Sequence, residues 1–198
     1  MEFREVIRRR RMVRSFLDRP LDEASVQRII DCARRGPSAG FSQGFEFLIL
    51  EGPQQTGRYW DATFPPQDRH DAVWAGLLRA PLLIVALTHK QAYLNRYAEA
   101  DKGWLDKDEA RWPVPYWLVD TSFAAMLILL AAVNEGLGAV FFGIQDGIVD
   151  FRQAFRVPEQ YSPIGAIAIG HPAPDDQPSA ALRVRRRPLE EIVHHGCW

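Results

Sequence analysis

The segment that most limits the fold of this chain runs from Leu118 to Glu135. After Asp120 it is apolar on nearly every face. A helix built from it has no solvent stripe and must be covered all round. Its most apolar part, Phe123 to Val133, falls well short of the ~18 residues expected of a membrane span, and Asp120, Asn134 and Glu135 bracket it. The segment therefore reads as a buried core helix, with Gly136 placed to end it.

The rest of the chain must supply that cover. With 198 residues, 47% of them hydrophobic, there is enough apolar surface for one compact domain, and a second full domain is not expected. The formal net charge of -1 and a pI near 6.5 provide no overall field to attract nucleic acid or an acidic membrane. Cys32 and Cys197 form neither a disulfide framework nor a metal-ligand spacing. The N-terminus lacks the apolar run of a signal peptide, so a cytoplasmic location is expected.

Phe3, Val6 and Ile7 recur at helical spacing and predict a short amphipathic helix over the first ten residues. Pro20 breaks the chain, Asp22 is a candidate N-cap, and Val26, Ile29, Ile30 and Ala33 mark a second helix that Gly36-Pro37 stops. Phe45 to Leu50, Leu82 to Leu87, Gly138 to Phe142 and Pro163 to Ile169 are short apolar runs of strand length. Helical signals also occur around Asp71 to Leu78 and over Ile148 to Phe155. Trp104, Trp112, Pro113 and Pro115 punctuate a charged segment, residues 99–115, that suits a lid over a pocket. Beyond the turn material of Pro172 to Pro178, Arg183 to Arg187 reads as an extended basic arm with little left to pack on in its own subunit, so a partner chain is its natural surface.

Three features could carry chemistry. Arg8-Arg9-Arg10-Arg11 with Arg14 concentrates guanidinium groups at one helix end, where forks three and four residues apart could grip a phosphate. The same spacing also fits a solvated basic face, and a nucleic-acid patch is a third option, weakened by the lack of interleaved aromatic residues. The loop Pro37 to Gly44 is built mostly of small residues and could bring backbone close to a flat ligand, or could simply connect a helix to a strand. At Phe141-Phe142-Gly143 a glycine ends a strand, where a backbone N–H could face a ligand edge. Gly136-Leu137-Gly138 precedes a strand and fails the dinucleotide-binding geometry. His194-His195 near Cys197 has no further ligands around it and suits a mobile tail better than a metal site. No Ser/His/Asp order or close carboxylate pair suggests a side-chain nucleophile.

Taken together, these pieces resemble the nitroreductase family of FMN enzymes. Arg10-Arg11-Met12-Val13-Arg14-Ser15-Phe16 is similar to the family's Arg-Arg-Ser-x-Arg-x-Phe. Ala33 to Phe47 is similar to its Ala-x-x-Ala-Pro-Ser-x-x-Asn-x-Gln-Pro-Trp-x-Phe. Ala131 to Gly143 matches a helix end and following strand, and Arg185 to Val193 matches a closing basic and acidic segment. The resemblance implies an α+β homodimer, three layers (α/β/α) around a central mixed sheet, with an exchanged C-terminal arm and two FMN sites at the subunit interface.

It further implies that Arg10, Arg11, Met12 and Arg14, with Arg185 and Arg187, surround the FMN phosphate and ribityl region. Pro37, Ser38, Phe41 and Gln43 would line the flavin ring, and Phe141, Phe142 and Gly143 would bring backbone to its reactive edge. NADH or NADPH would donate electrons, and a nitroaromatic, quinone or enone would accept them. A specialised relative (dehalogenation, dehydrogenation or flavin breakdown) and a non-catalytic FMN-binding protein are the alternatives. This chain departs from the family pattern at Met12, which replaces a serine, at Phe41, which replaces an asparagine, and at Gly44-Phe45, which replace Pro-Trp.

Overall fold

The computed structural model describes residues 1–64, 69 and 75–198. Four strands, β1 (Phe45–Glu51), β2 (Leu82–Thr88), β3 (Gly138–Phe142) and β4 (Ser162–Gly170), form one sheet in the order β1-β2-β4-β3. β2 is buried at every position, and its alternating side chains divide between two cores, as period-2 geometry requires. Leu82, Ile84 and Ala86 enter one core; Leu83, Val85 and Leu87 enter the other.

The expected mixed sheet is corrected. All three strand pairs are antiparallel, and among the described residues the parallel contact is the isolated bridge Met12–Ala139. The N-terminal segment touches β3 only briefly before the chain turns away, so it adds no full strand.

Among the described residues, six α-helices cover the sheet: α1 (Phe3–Arg9), α2 (Glu23–Ala33), α3 (Gly52–Thr63), α4 (Lys90–Tyr97), α5 (Tyr116–Asn134) and α6 (Ile148–Phe155). On one face α2 contributes Val26, Ile29 and Ala33, and α5 contributes Ala125, Ile128, Leu129 and Ala132. On the other face lie Tyr59 and Trp60 of α3 and Phe151 of α6, with Val13 and Phe16 of the N-terminal segment. This is the three-layer α/β/α arrangement. Asp22 caps α2 by accepting from the Ser25 N–H at 2.9 Å, worth ~1 kcal/mol.

α5 is the helix expected from Leu118 to Glu135, and it begins two residues earlier. By length and composition alone it could cross a membrane. Here its buried residues include Asp120 and Thr121 as well as the apolar set. It closes in a Schellman turn: Gly136 adopts φ 75°, its N–H meets the Val133 carbonyl at 3.0 Å, and the Leu137 N–H meets that of Ala132 at 2.8 Å. A side chain at that φ would be strained, which accounts for the glycine. Cover is nevertheless incomplete. Tyr116, Phe123 and Met126 of α5, and Phe3 and Ile7 of α1, are exposed, on helices that pack against each other.

α3 and α4 have no counterpart in the sequence reading. The buried face of α3 is Thr56, Tyr59, Trp60 and Thr63, correct in helical spacing but half threonine, so it gives no apolar stripe. Of the signals around residues 71–78, residues 71–74 lie outside the described residues, and Leu77–Arg79 is a 3-10 turn. The arm is not extended from its start, because Ala180–Arg183 forms another 3-10 turn.

Candidate functional site

The five arginines near the N-terminus do not act as one patch. Arg8 and Arg9 both close on Glu5, Arg8 through two 2.8 Å hydrogen bonds, and together they hold its carboxyl below the usual glutamate range. Arg11 pairs with the buried Asp176, whose other oxygen accepts the Arg14 and Ser15 backbone N–H groups at 2.8 and 2.9 Å. Asp176 thus fixes the turn from residue 11 to 15, and it went unseen in the sequence because its partners lie more than 160 residues away. Among the described residues, Arg10 and Arg14 form no ion pair with a carboxylate; Arg14 reaches only the Met12 carbonyl, at 3.4 Å.

Arg14 opens instead onto a cleft of ≈ 660 Å³ lined by Ser15, Gly76, Arg79, Asp175 and Gln177. That volume falls within the range of small-molecule sites. Arg79 donates to the Phe16 carbonyl and the Ser15 hydroxyl, both at 2.9 Å, while Ser15 donates to Asp175 at 2.6 Å. The Met12 side chain packs against both cores, which explains an apolar residue where the family pattern has a serine.

The loop before β1 lies at the other end of the sheet. The strand register sets Phe45 beside Thr88 and Thr88 beside Ser162, whereas Leu17 and Phe16, just after Arg14, meet His171 and Pro172 beyond the far end of β4. The seven residues of β2 separate these ends by roughly 20 Å at ~3.3 Å per residue.

Within the loop, Gly40, Phe41 and Gln43 adopt φ of 60°, 58° and 49°. For the two non-glycines this costs of order 1–3 kcal/mol each and persists only where the surroundings impose it. The surroundings are specific. Asp120, buried on α5, accepts the Ala39 N–H at 2.8 Å and the Tyr93 hydroxyl at 2.9 Å. The Gln43 N–H donates to Ser38 Oγ at 2.9 Å, and Arg96 donates to the Gly40 carbonyl at 2.9 Å. Burial, reinforced by the Asp120 carboxylate, pushes the Tyr93 phenol well above its usual range, so it remains a donor. A Cβ on Gly44 would sit 2.8 Å from the His89 carbonyl and against the Tyr93 ring, which accounts for glycine where the family pattern has proline. Pro37 and Phe41 are exposed, Phe41 at 74%.

Phe141 and Phe142 turn their rings inward. Phe142 stacks on Trp60 with centroids 5.7 Å apart, and Phe141 packs against the first core. Only the backbone of this strand end, with exposed Gly143, is left to meet a ligand. In the 99–115 segment, Trp104 and Trp112 pack on Tyr97 at 4.9 and 4.5 Å. Glu109 from the same segment pairs with Lys90 at 2.6 Å and lines a cleft of ≈ 420 Å³ with Thr88, Trp117 and Ser162. The segment is thus anchored by its aromatics and borders a cleft at the loop end of the sheet.

Arg185 and Arg187 are exposed, and Arg187 pairs with Glu191 at 3.1 Å. Neither lines the cleft around Arg14, whose C-terminal boundary is Ala180. A single chain therefore carries an α+β scaffold with a cleft lined by Arg14, Arg79, Asp175 and Asp176 at one end of its sheet and a strained, ring-presenting loop at the other.

The chain belongs to the nitroreductase family, whose profile matches residues 7–171. It is 28% identical over 177 residues to a protein of Methanothermobacter thermautotrophicus described as an NADH dehydrogenase/NAD(P)H nitroreductase, covering 87% of this chain and 78% of that one. It is 22% identical over 195 residues to a Staphylococcus aureus NADPH-dependent oxidoreductase, covering 96% and 72%. The fold matches a Desulfovibrio desulfuricans structure, described as a nitroreductase in complex with FMN, with a TM-score of 0.71 at 22% identity, covering 100% of this chain and 98% of that one.

Proposed function

We propose that this protein is an FMN-dependent NAD(P)H oxidoreductase that works as a homodimer. The observation that carries the reading is the separation of two complementary half-sites. Among the described residues, Arg10 and Arg14 have no carboxylate partner at one end of the sheet, and the positive-φ loop and Gly143 lie toward the other. Two chains with their apolar α1 and α5 surfaces together would bring one half-site of each against the other half-site of its partner, and so form two flavin sites. The exposed Tyr116, Phe123 and Met126 of α5 and Phe3 and Ile7 of α1 are the surface such a dimer would bury. The arm beyond Ala180, with exposed Val184, Leu189 and Ile192, would then find its cover on the partner.

The residues present fit FMN. Arg10 and Arg14 would hold the phosphate and ribityl end as charge-assisted donors, joined by Arg185 and by Arg187 once it leaves Glu191. Arg11 would act indirectly, by fixing the turn through Asp176. The backbone of Ser38 to Gln43, held open by Asp120, would lie along the ring. When bound, the flavin supplies exchange of a hydride equivalent between a reduced nicotinamide and a small organic acceptor. The protein's part is to position the partners, exclude water and place fixed positive charge near the reduced form.

The test is the visible spectrum of the purified or FMN-titrated protein, its bleaching by NADH or NADPH without oxygen, and its mass in solution. A folded protein that takes up no FMN sinks the reading. One that binds FMN but is reduced by neither nicotinamide is a flavin-binding protein without turnover.

A further inference from the structure

Phe41 combines three properties that seldom coincide. It is an aromatic residue in the left-handed region, φ 58°, where asparagine, aspartate and glycine are the favoured occupants. It is 74% exposed, so packing within its own chain does not compensate for that conformation. The backbone on both sides is nevertheless clamped, by Asp120 on the Ala39 N–H, by Arg96 on the Gly40 carbonyl and by Ser38 Oγ on the Gln43 N–H. A strained, exposed ring on a fixed loop calls for a contact outside the chain. The ring carries no side-chain hydrogen-bonding group, and the partner it suits best is another flat aromatic surface.

We propose that Phe41 is the specificity-determining residue of the site, a ring held ready to stack on flat aromatic acceptors and to favour them over small or inorganic ones. This rests on the flavin reading above. Asp120, Tyr93 and Arg96 are its positioning residues, because they fix the backbone from which the ring projects. The 3-10 turn Ala39–Phe41 is short, and without those ties the ring would sweep a wide arc and lose its selectivity.

The test uses FMN-loaded protein and the variants Phe41→Asn, Phe41→Leu and Phe41→Tyr. Binding of 2-methyl-1,4-naphthoquinone to the oxidised protein is read from the flavin absorbance, and KM for ferricyanide is measured alongside. Asn and Leu are expected to weaken naphthoquinone binding by roughly three- to tenfold, as loss of one ring contact implies, while Tyr retains it. The loss is read relative to the ferricyanide KM measured on the same variant, and it exceeds any change in FMN affinity. Because asparagine tolerates the left-handed conformation, Phe41→Asn should also melt higher, by about 2–4 °C.

Unchanged naphthoquinone binding in both Asn and Leu would overturn the proposal. A parallel loss of FMN affinity would overturn it in favour of a ring that holds the flavin, and dissociation of the dimer in favour of one that holds the partner chain. Wild-type protein that takes up no FMN removes the flavin reading itself, and this is seen before any variant is made.

Discussion

The two ends of the sheet are stabilised in opposite ways. At the arginine end the key carboxylate, Asp176, binds a neighbouring guanidinium and two backbone N–H groups on the N-terminal segment, so charge is sorted locally and Arg10 and Arg14 are left over. At the loop end the key carboxylate, Asp120, is buried on α5 and spends its hydrogen bonds on a backbone N–H and a phenol. There it shapes the backbone instead of sorting charge. A ligand with an anionic end and a flat end needs both devices, and α5 links them: Asp120 lies near its start and Glu135 just past its end, roughly 22 Å apart at 1.5 Å per residue.

The sharpest way to break this comparison is Asp120→Ala. It would leave the Ala39 N–H and the Tyr93 hydroxyl without their acceptor in a buried site and should cost about 2–4 kcal/mol. Thermal unfolding would show a clear loss, and FMN uptake should fall with it. Stability within error of wild type would mean that the loop holds its shape without the carboxylate.

Arg14→Ala is expected to do the reverse, weakening FMN binding roughly ten- to a hundredfold with little change in melting, because it removes a charge-assisted donor that serves no internal carboxylate. Arg11→Ala should instead lower stability by about 1–3 kcal/mol, since it strips the guanidinium from a buried Asp176. If flavin titration and melting curves gave the same pattern for both variants, the division of the arginine cluster would be wrong.

Arg8→Ala should leave both measurements unchanged, because its guanidinium is committed to Glu5 on an exposed helix face. A loss of flavin affinity comparable to that of Arg14→Ala would restore the picture of one diffuse basic patch.

A small, pH-dependent effect concerns Glu135, which ties α2 to the end of α5 through Arg28 at 2.7 Å. Hydrogen bonding from Arg28 holds its carboxyl below the ordinary value of 4.5. A lowered folded-state pKa stabilises the protein above the unfolded value, and that stability disappears as pH falls through the folded value. The melting difference between wild type and Glu135→Gln, no more than about 1 kcal/mol for a partly exposed pair, should therefore be present at pH 7 and fade progressively as pH falls below 4.5. A difference that persisted at low pH would show that the ion pair is not its source.

Much of the scaffold was legible because its signals are local. The α2 cap at Asp22, the glycine stop after α5, the strands and the 148–155 helix each depend on residues within a few positions of one another. α3 was not legible, because two of its four buried positions are threonines that point inward only once the sheet is there to receive them. Phe141 and Phe142 end β3 as expected, but their rings pack against cores that the sequence does not display, and Met12 does the same.

By itself, then, the sequence determined the all-round burial of α5, the positions of the strands and the presence of an arginine cluster beside a small-residue loop, all consequences of periodicity and local backbone preference. Only the tertiary structure decided which arginines of the cluster lack a carboxylate partner among the described residues, which aspartates are structural, and that Arg14 and the positive-φ loop lie at opposite ends of one sheet. Those outcomes depend on pairings across more than 80 positions of the chain, and a carboxylate's partner is set by where the fold brings it, which no short-range pattern records.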